Sequence, residues 1–214
     1  GRGDTARTVE ALYRKGFRGL KVIIPKKDYD DKSFFPIYRK AEELKMPILF
    51  HTGVMARVEL WADQYAHIRD LPKVDYRKLD VSCRRMDPMC LDTIARAFPD
   101  LNLIMAHFGS LGRRDNAAAV LRWNPNVYAD LTNFVWHWEK KHRSAGAKLL
   151  GEIVHRDFRD RLVFGTDNTV SRGLKMMPKF IKSVRGLLSA IGLDRFTQKM
   201  IMGGNMERLL GMEG

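Results

Sequence analysis

Five short apolar runs, each set apart from the next by an amphipathic stretch, constrain this chain more than any other feature. The runs are Leu20-Lys21-Val22-Ile23-Ile24, Ile48-Leu49-Phe50, Leu101 to Ala106, Val127-Tyr128-Ala129-Asp130 and Arg161 to Gly165. A half-wet strand alternates apolar and polar residues, whereas near-continuous apolar runs mark strands of a parallel sheet buried on both faces. Between the runs, apolar residues recur at helical spacing, as in Val9, Leu12, Tyr13 and in Phe34, Ile37, Tyr38, Ala41, Leu44. Short buried strands alternating with helices predict an α/β fold with right-handed crossovers.

Local punctuation agrees with this reading. Gly16 ends the first helix, Pro25 closes the first strand and Pro47 introduces the second. Asp87 followed by Pro88 predicts an N-cap and a first helical residue, with Leu91, Ile94, Ala95 and Phe98 on one face. Further helices are expected around Asp115 to Trp123 and Ala147 to His155. A last one carries Met177, Phe180, Ile181, Val184, Leu188 and Ile191 as a packing stripe and stops at Gly192. No linker divides the 214 residues, so one domain over 1–214 is expected. The connection 52–86 holds Trp61, Tyr65, His67 and Tyr76 and is too long for an idle loop; a lid or insertion is expected there.

Composition removes several function classes. No apolar run approaches the roughly 18 to 20 residues that cross a bilayer, and no signal-type segment opens the chain, so a soluble protein without membrane attachment is expected. Two cysteines, Cys83 and Cys90, make no disulfide framework, which favours a reducing, cytoplasmic setting. The formal charge of +13 invites a nucleic-acid partner. Its sources, however, are scattered pairs such as Lys26-Lys27 and Arg84-Arg85 interleaved with acids, and no base-reading module is present, so a solvated basic surface is expected instead.

Ligands of parallel α/β sheets bind at the carboxyl ends of the strands. Four of those ends carry polar residues: His51, His107, Asp130 and Asp167. Imidazole nitrogen and carboxylate oxygen are ligands for zinc, manganese or iron, and a bound divalent ion brings the pKa of its water to about 7. A histidine beside such an ion can act as general acid and base near neutral pH. His107 is the candidate for that role.

The order of motifs resembles one family. Gly16-Phe17-Arg18-Gly19-Leu20-Lys21, Met46-Pro47-Ile48-Leu49-Phe50-His51-Thr52-Gly53, Phe98-Pro99-Asp100-Leu101 running to Ala106-His107-Phe108-Gly109, Asn126-Val127-Tyr128-Ala129-Asp130-Leu131, Leu162 to Asp167 and Gly204-Asn205-Met206-Glu207-Arg208-Leu209-Leu210 are similar to the amidohydrolase-related metal-dependent hydrolases. That family includes aminocarboxymuconate semialdehyde decarboxylase and related lactone hydrolases. The resemblance implies a TIM barrel, one divalent metal ion, with zinc the first choice and manganese or iron the others, and hydrolysis through a metal-activated water. It makes His51 a metal ligand, Asp167 a ligand or proton carrier and His107 an acid/base. Asp130 matches a supporting position, and Lys21 is expected to be structural. Arg57, Arg113, Arg114 and Arg172 follow the reactive strand ends and could grip the carboxylate of a small substrate.

The resemblance also implies a His-x-His pair on the first barrel strand, and the six histidines here are never two apart. The first recognisable strand is the family's fourth. The expected fold is therefore a partial TIM-barrel-like α/β structure, strands four to eight, from a barrel that usually takes about 250 residues. Two further readings stay open: a decarboxylase on the same scaffold, and a catalytically incomplete half-barrel that binds a partner or a second copy through its open strand edges.

Overall fold

The structure is a computed structural model and describes residues 3–55, 81–110, 112–132, 147, 148, 150–152, 158–167 and 170–212, with side chains of 170–176 excluded. Five strands form one sheet: β1 (Leu20–Val22), β2 (Ile48–His51), β3 (Leu103–Ala106), β4 (Val127–Asp130) and β5 (Leu162–Val163). Their order in space is their order in the chain, and every neighbouring pair is parallel. A doubly wound sheet reverses direction at a switch point; this one never does. With right-handed crossovers, a sheet that always steps the same way puts its helices on one face, which is how a barrel wall is built.

Strand alternation divides the residues accordingly. Ile48, Phe50, Leu103, Met105, Val127, Ala129 and Leu162 belong to the large core beneath the helices. Ile104 and Val163 face the other way and join Leu209 in a small cluster, with Leu49, Tyr128 and Met206 half-buried beside it. The runs look continuously apolar because both faces carry apolar residues, but only the helix side is thickly covered. Eight strands close such a wall; five make an arc with an inner face.

The helices are α1 (Ala6–Arg14), α2 (Phe35–Glu43), α3 (Cys90–Ala97), α4 (Arg114–Trp123), α5 (Val170–Ala190), α6 (Arg195–Lys199) and α7 (Asn205–Leu209). Residues 147, 148 and 150–152 are also helical, the start of the helix expected around Ala147. Among the described residues, no helix is long and apolar enough to cross a membrane.

Several boundaries differ from the sequence reading: β3 begins at Leu103 rather than Leu101, and β5 keeps only Leu162–Val163 of the run from Arg161 to Gly165. β1 stops at Val22, two residues early, because Ile24 turns into the left-handed region (φ 52°) and Pro25 has no amide hydrogen to donate. The regular turns of α3 begin at Cys90 rather than Pro88. Asp87 still organises the entry: its carboxylate accepts the Met89 amide at 3.0 Å and its carbonyl accepts the Cys90 amide at 3.1 Å. Of the connection 52–86, residues 56–80, with Trp61, Tyr65, His67 and Tyr76, lie outside the described residues.

The Gly204 to Leu210 motif closes the end of the sheet. Buried Asn205 donates its side-chain amide to the Leu162 carbonyl at 2.8 Å, while Phe164 donates its backbone amide to the Ile201 carbonyl at 2.9 Å. The π-helical turn Met200–Gly204 thus caps β5.

Candidate active site at the strand ends

Two loops interlock where β2 and β3 end. Thr52 is fully buried, donates its hydroxyl to the Ala106 carbonyl at 2.5 Å and accepts the Gly109 amide at 3.0 Å. Gly53, with φ 90°, packs so tightly on the second loop that an added Cβ would sit 2.4 Å from Ser110 Cβ and 2.5 Å from the Gly109 carbonyl oxygen. That second loop is strained: His107, Phe108, Gly109 and Ser110 all have positive φ (69°, 46°, 73° and 54°). For non-glycine residues each such conformation costs of order 1–3 kcal/mol, so it persists only when its surroundings hold it. Thr52 is one such restraint, and Asp130 is another. The Asp130 Oδ1 atom accepts the His107 amide at 2.8 Å and the Thr132 amide at 3.1 Å. Gly165 leaves room for it, since a Cβ there would lie 3.1 Å from Asp130 Cβ and Cγ.

Tyr29 does for β2 what Asp130 does for β3. Its hydroxyl donates to the His51 carbonyl at 3.0 Å, and its ring stands edge-on to Phe50 with centroids 5.0 Å apart. The sequence alone gives neither Tyr29 nor Thr52 a role. Thr52 lies inside the His51-Thr52-Gly53 motif, but nothing local to Tyr29 signals its contact with a carbonyl twenty-two positions on.

These restraints bring three of the four expected side chains together. The His107 Nε2 atom lies 3.2 Å from His51 Nδ1, with ring centroids 4.7 Å apart, and 3.9 Å from Asp167 Oδ1. His107 is 7% exposed, whereas the Asp167 side chain is 62% exposed and sits on a strained backbone (φ 50°). Asp130 stays behind, bound to backbone amides. The His51 Nε2 atom is buried with no hydrogen-bond partner among the described residues. Burial, then the neighbouring His107 and Lys21, pushes the His51 pKa down to about 3, so the ring is neutral. A proton on Nδ1, donated to His107 Nε2, leaves a bare lone pair on Nε2, the form in which imidazole binds a metal.

That orphaned nitrogen, with the Asp167 carboxylate nearby, fits part of a donor set for a divalent ion. Among the described residues no group of three His, Cys, Asp or Glu side chains is arranged to hold one. The arginines are placed less uniformly. Arg113 forms an ion pair with Asp87, and Arg114 opens α4 with its guanidinium partly desolvated. Arg57 and the side chain of Arg172 lie outside the described residues.

Solved structures of similar fold include an uncharacterized TIM-barrel protein from Bordetella bronchiseptica, with 18% identity and TM-score 0.62, covering 98% of this chain and 64% of that one. A probable 2-pyrone-4,6-dicarboxylic acid hydrolase from Acinetobacter baumannii with citric acid bound is 12% identical, with TM-score 0.62, covering 99% and 70%. The 5-carboxyvanillate decarboxylase LigW from Sphingomonas paucimobilis is 14% identical, with TM-score 0.59, covering 97% and 63%. The chain thus spans about two thirds of the length of these barrels, the share expected of a partial one. No curated protein matches. The sequence profile described as Amidohydrolase matches residues 4–212, nearly the whole chain, and the chain belongs to the amidohydrolase family.

Proposed function

We propose that His51, His107 and Asp167 form part of the reaction centre of a cytoplasmic metal-dependent hydrolase acting on a small carboxylate-bearing substrate. The observation that carries this reading is the buried, unpartnered Nε2 of neutral His51 beside His107. His51 and Asp167 would hold one divalent ion, zinc in the first instance and manganese or iron as alternatives. A dihydroxybenzoic acid decarboxylase of similar fold from Polaromonas contains bound manganese. When bound, such an ion supplies a water that ionises near pH 7.

The chain's own residues do the rest. His107 Nε2, 3.9 Å from Asp167, gives up the hydrogen bond from His51 Nδ1, takes the proton as water oxygen adds to the substrate carbonyl and returns it to the leaving oxygen as that C–O bond breaks. Asp167 steadies the imidazolium formed between the two transfers, and Asp130 fixes the His107 backbone. Arg57, Arg113 and Arg172 would contact the substrate. Decarboxylation is the second reading, favoured by the burial of His107: an acid shielded from bulk water suits delivery of a proton to the carbon that loses carbon dioxide.

Zinc titration of the purified chain by calorimetry tests the centre. One-to-one binding that weakens more than about tenfold in His51→Ala is expected, since even outer-shell changes cost that much. Equal zinc binding by wild type and His51→Ala would overturn the assignment.

A further inference from the structure

Lys21 places a positive charge on the inner face of the sheet. Its neighbours Leu20 and Val22 pack against the helix-side core, so alternation turns Lys21 to the opposite side. There the register aligns Lys21 with Leu49, Ile104 and Tyr128 across four strands, and those three belong to the small apolar cluster. A lysine completes an otherwise apolar row. Two residues further along their strands, on the same face, stand His51 and Asp130. The long lysine stem can cover apolar surface while its head reaches the polar end of the sheet.

Its charge is felt at that end. The ammonium feels the attraction of Asp130 and Asp167, and its charge disfavours protonation of His51. It is partly desolvated, although the residue as a whole is exposed on the open face. Neither carboxylate pairs with it directly: Lys21 has no ion pair or hydrogen bond among the described residues. Asp130 Oδ1 is already engaged by two amides. The lysine charge therefore acts on the end of the sheet where His51 and Asp130 stand. A partly desolvated cation favours an anion over a neutral ligand, because a charge-assisted hydrogen bond is roughly twice as strong as a neutral one.

We propose that Lys21 binds the carboxylate of the substrate and so selects small carboxylates over neutral molecules of the same shape. The inference rests on reading the strand ends as the reaction centre. It puts the carboxylate anchor on the floor of the sheet and leaves the arginines, of which Arg113 is paired with Asp87, to other parts of the substrate.

The test compares 2,6-dihydroxybenzoate with resorcinol, the same ring without the carboxylate. Both are titrated into the metal-free full chain at pH 7 and followed by NMR or calorimetry. Wild type is expected to prefer the carboxylate by about tenfold or more. Lys21→Met should abolish the preference by weakening the carboxylate alone, and Lys21→Arg should retain most of it. Circular dichroism checks that each variant is folded. A wild type without preference, or a Lys21→Met protein that keeps it, overturns the proposal. Zinc titration of Lys21→Met separates the two readings. If zinc binding depends on His51 but the ligand preference is independent of Lys21, the anchor falls and the metal centre stands. Should the preference follow Lys21 with no zinc bound by wild type, the metal centre falls and the anchor stands.

Discussion

A single buried hydroxyl carries much of the site's geometry. Thr52 joins the end of β2 to the end of β3 through one bond given and one accepted, and the loop it grips has four successive residues at positive φ. Thr52→Val keeps the shape and removes both bonds, leaving the Ala106 carbonyl and the Gly109 amide short of a partner. Unmet buried polar groups cost about 1–3 kcal/mol each. Thr52→Val is therefore expected to lower the unfolding free energy by about 2 kcal/mol, read from urea denaturation, and to broaden or shift the His107 ring resonances. An unchanged midpoint would show that the loop holds itself. At this scale the sequence points to polar side chains at the strand ends and is silent about what restrains them. His51, His107 and Asp167 could be picked out because each follows an apolar run. Tyr29 could not, because its partner is the His51 carbonyl and contact between distant backbone and side chain leaves no local pattern.

Among the elements, the joints between helices and strands are made by a few side chains that cap carbonyls. Asn126 donates to the Ala95, Phe98 and Leu101 carbonyls, tying the end of α3 to the start of β4. Arg161 does the same one unit later: its guanidinium donates to the carbonyls of Leu121 and Asn124, binding the end of α4 to the entry of β5. Desolvation lowers the Arg161 pKa, yet arginine stays charged at any working pH. Arg161→Ala is expected to cost about 2 kcal/mol by leaving helix-terminal carbonyls unpaired, and Arg161→Lys to recover only part of it, since one ammonium cannot reproduce a planar fork. Urea midpoints of the three proteins check the order. The elements themselves were legible from 3.6-residue periodicity and from Gly and Pro punctuation. Their ends were less so: β1 is shorter than its apolar run because a strand persists only while it has a neighbour to pair with and a backbone that stays extended.

For the molecule as a whole, the site draws its side chains from neighbouring parallel strands, and its electrostatics can be read as pH dependence. His51 from β2 is kept neutral by burial and by charges brought from β3 and β1, His107 and Lys21. In the unfolded chain the imidazole titrates near 6.5; in the folded chain it does so near 3. As pH falls from 6.5 towards 3 the unfolded state gains a proton that the folded state does not, so stability present above pH 6.5 is progressively lost. Wild type is expected to lose unfolding free energy more steeply than His51→Gln between pH 6.5 and 4, by denaturant titration at each pH. Parallel slopes would mean that folded His51 takes its proton freely.

What the sequence determined by itself is the alternation of strands and helices, the parallel α/β class, and the polar residues at strand ends, because each is written in spacing within a few residues. His51 and Asp130 end their strands, and His107 and Asp167 follow theirs within a few residues, so the same spacing nominates them as candidates. Only the tertiary structure decided that the strands step in one direction as a barrel wall, that Asp130 serves the backbone while His51, His107 and Asp167 gather, and that Lys21 shares their face. Those facts depend on which strands lie side by side and in what register. Register is set by contacts between residues tens of positions apart, a distance over which local spacing carries no information.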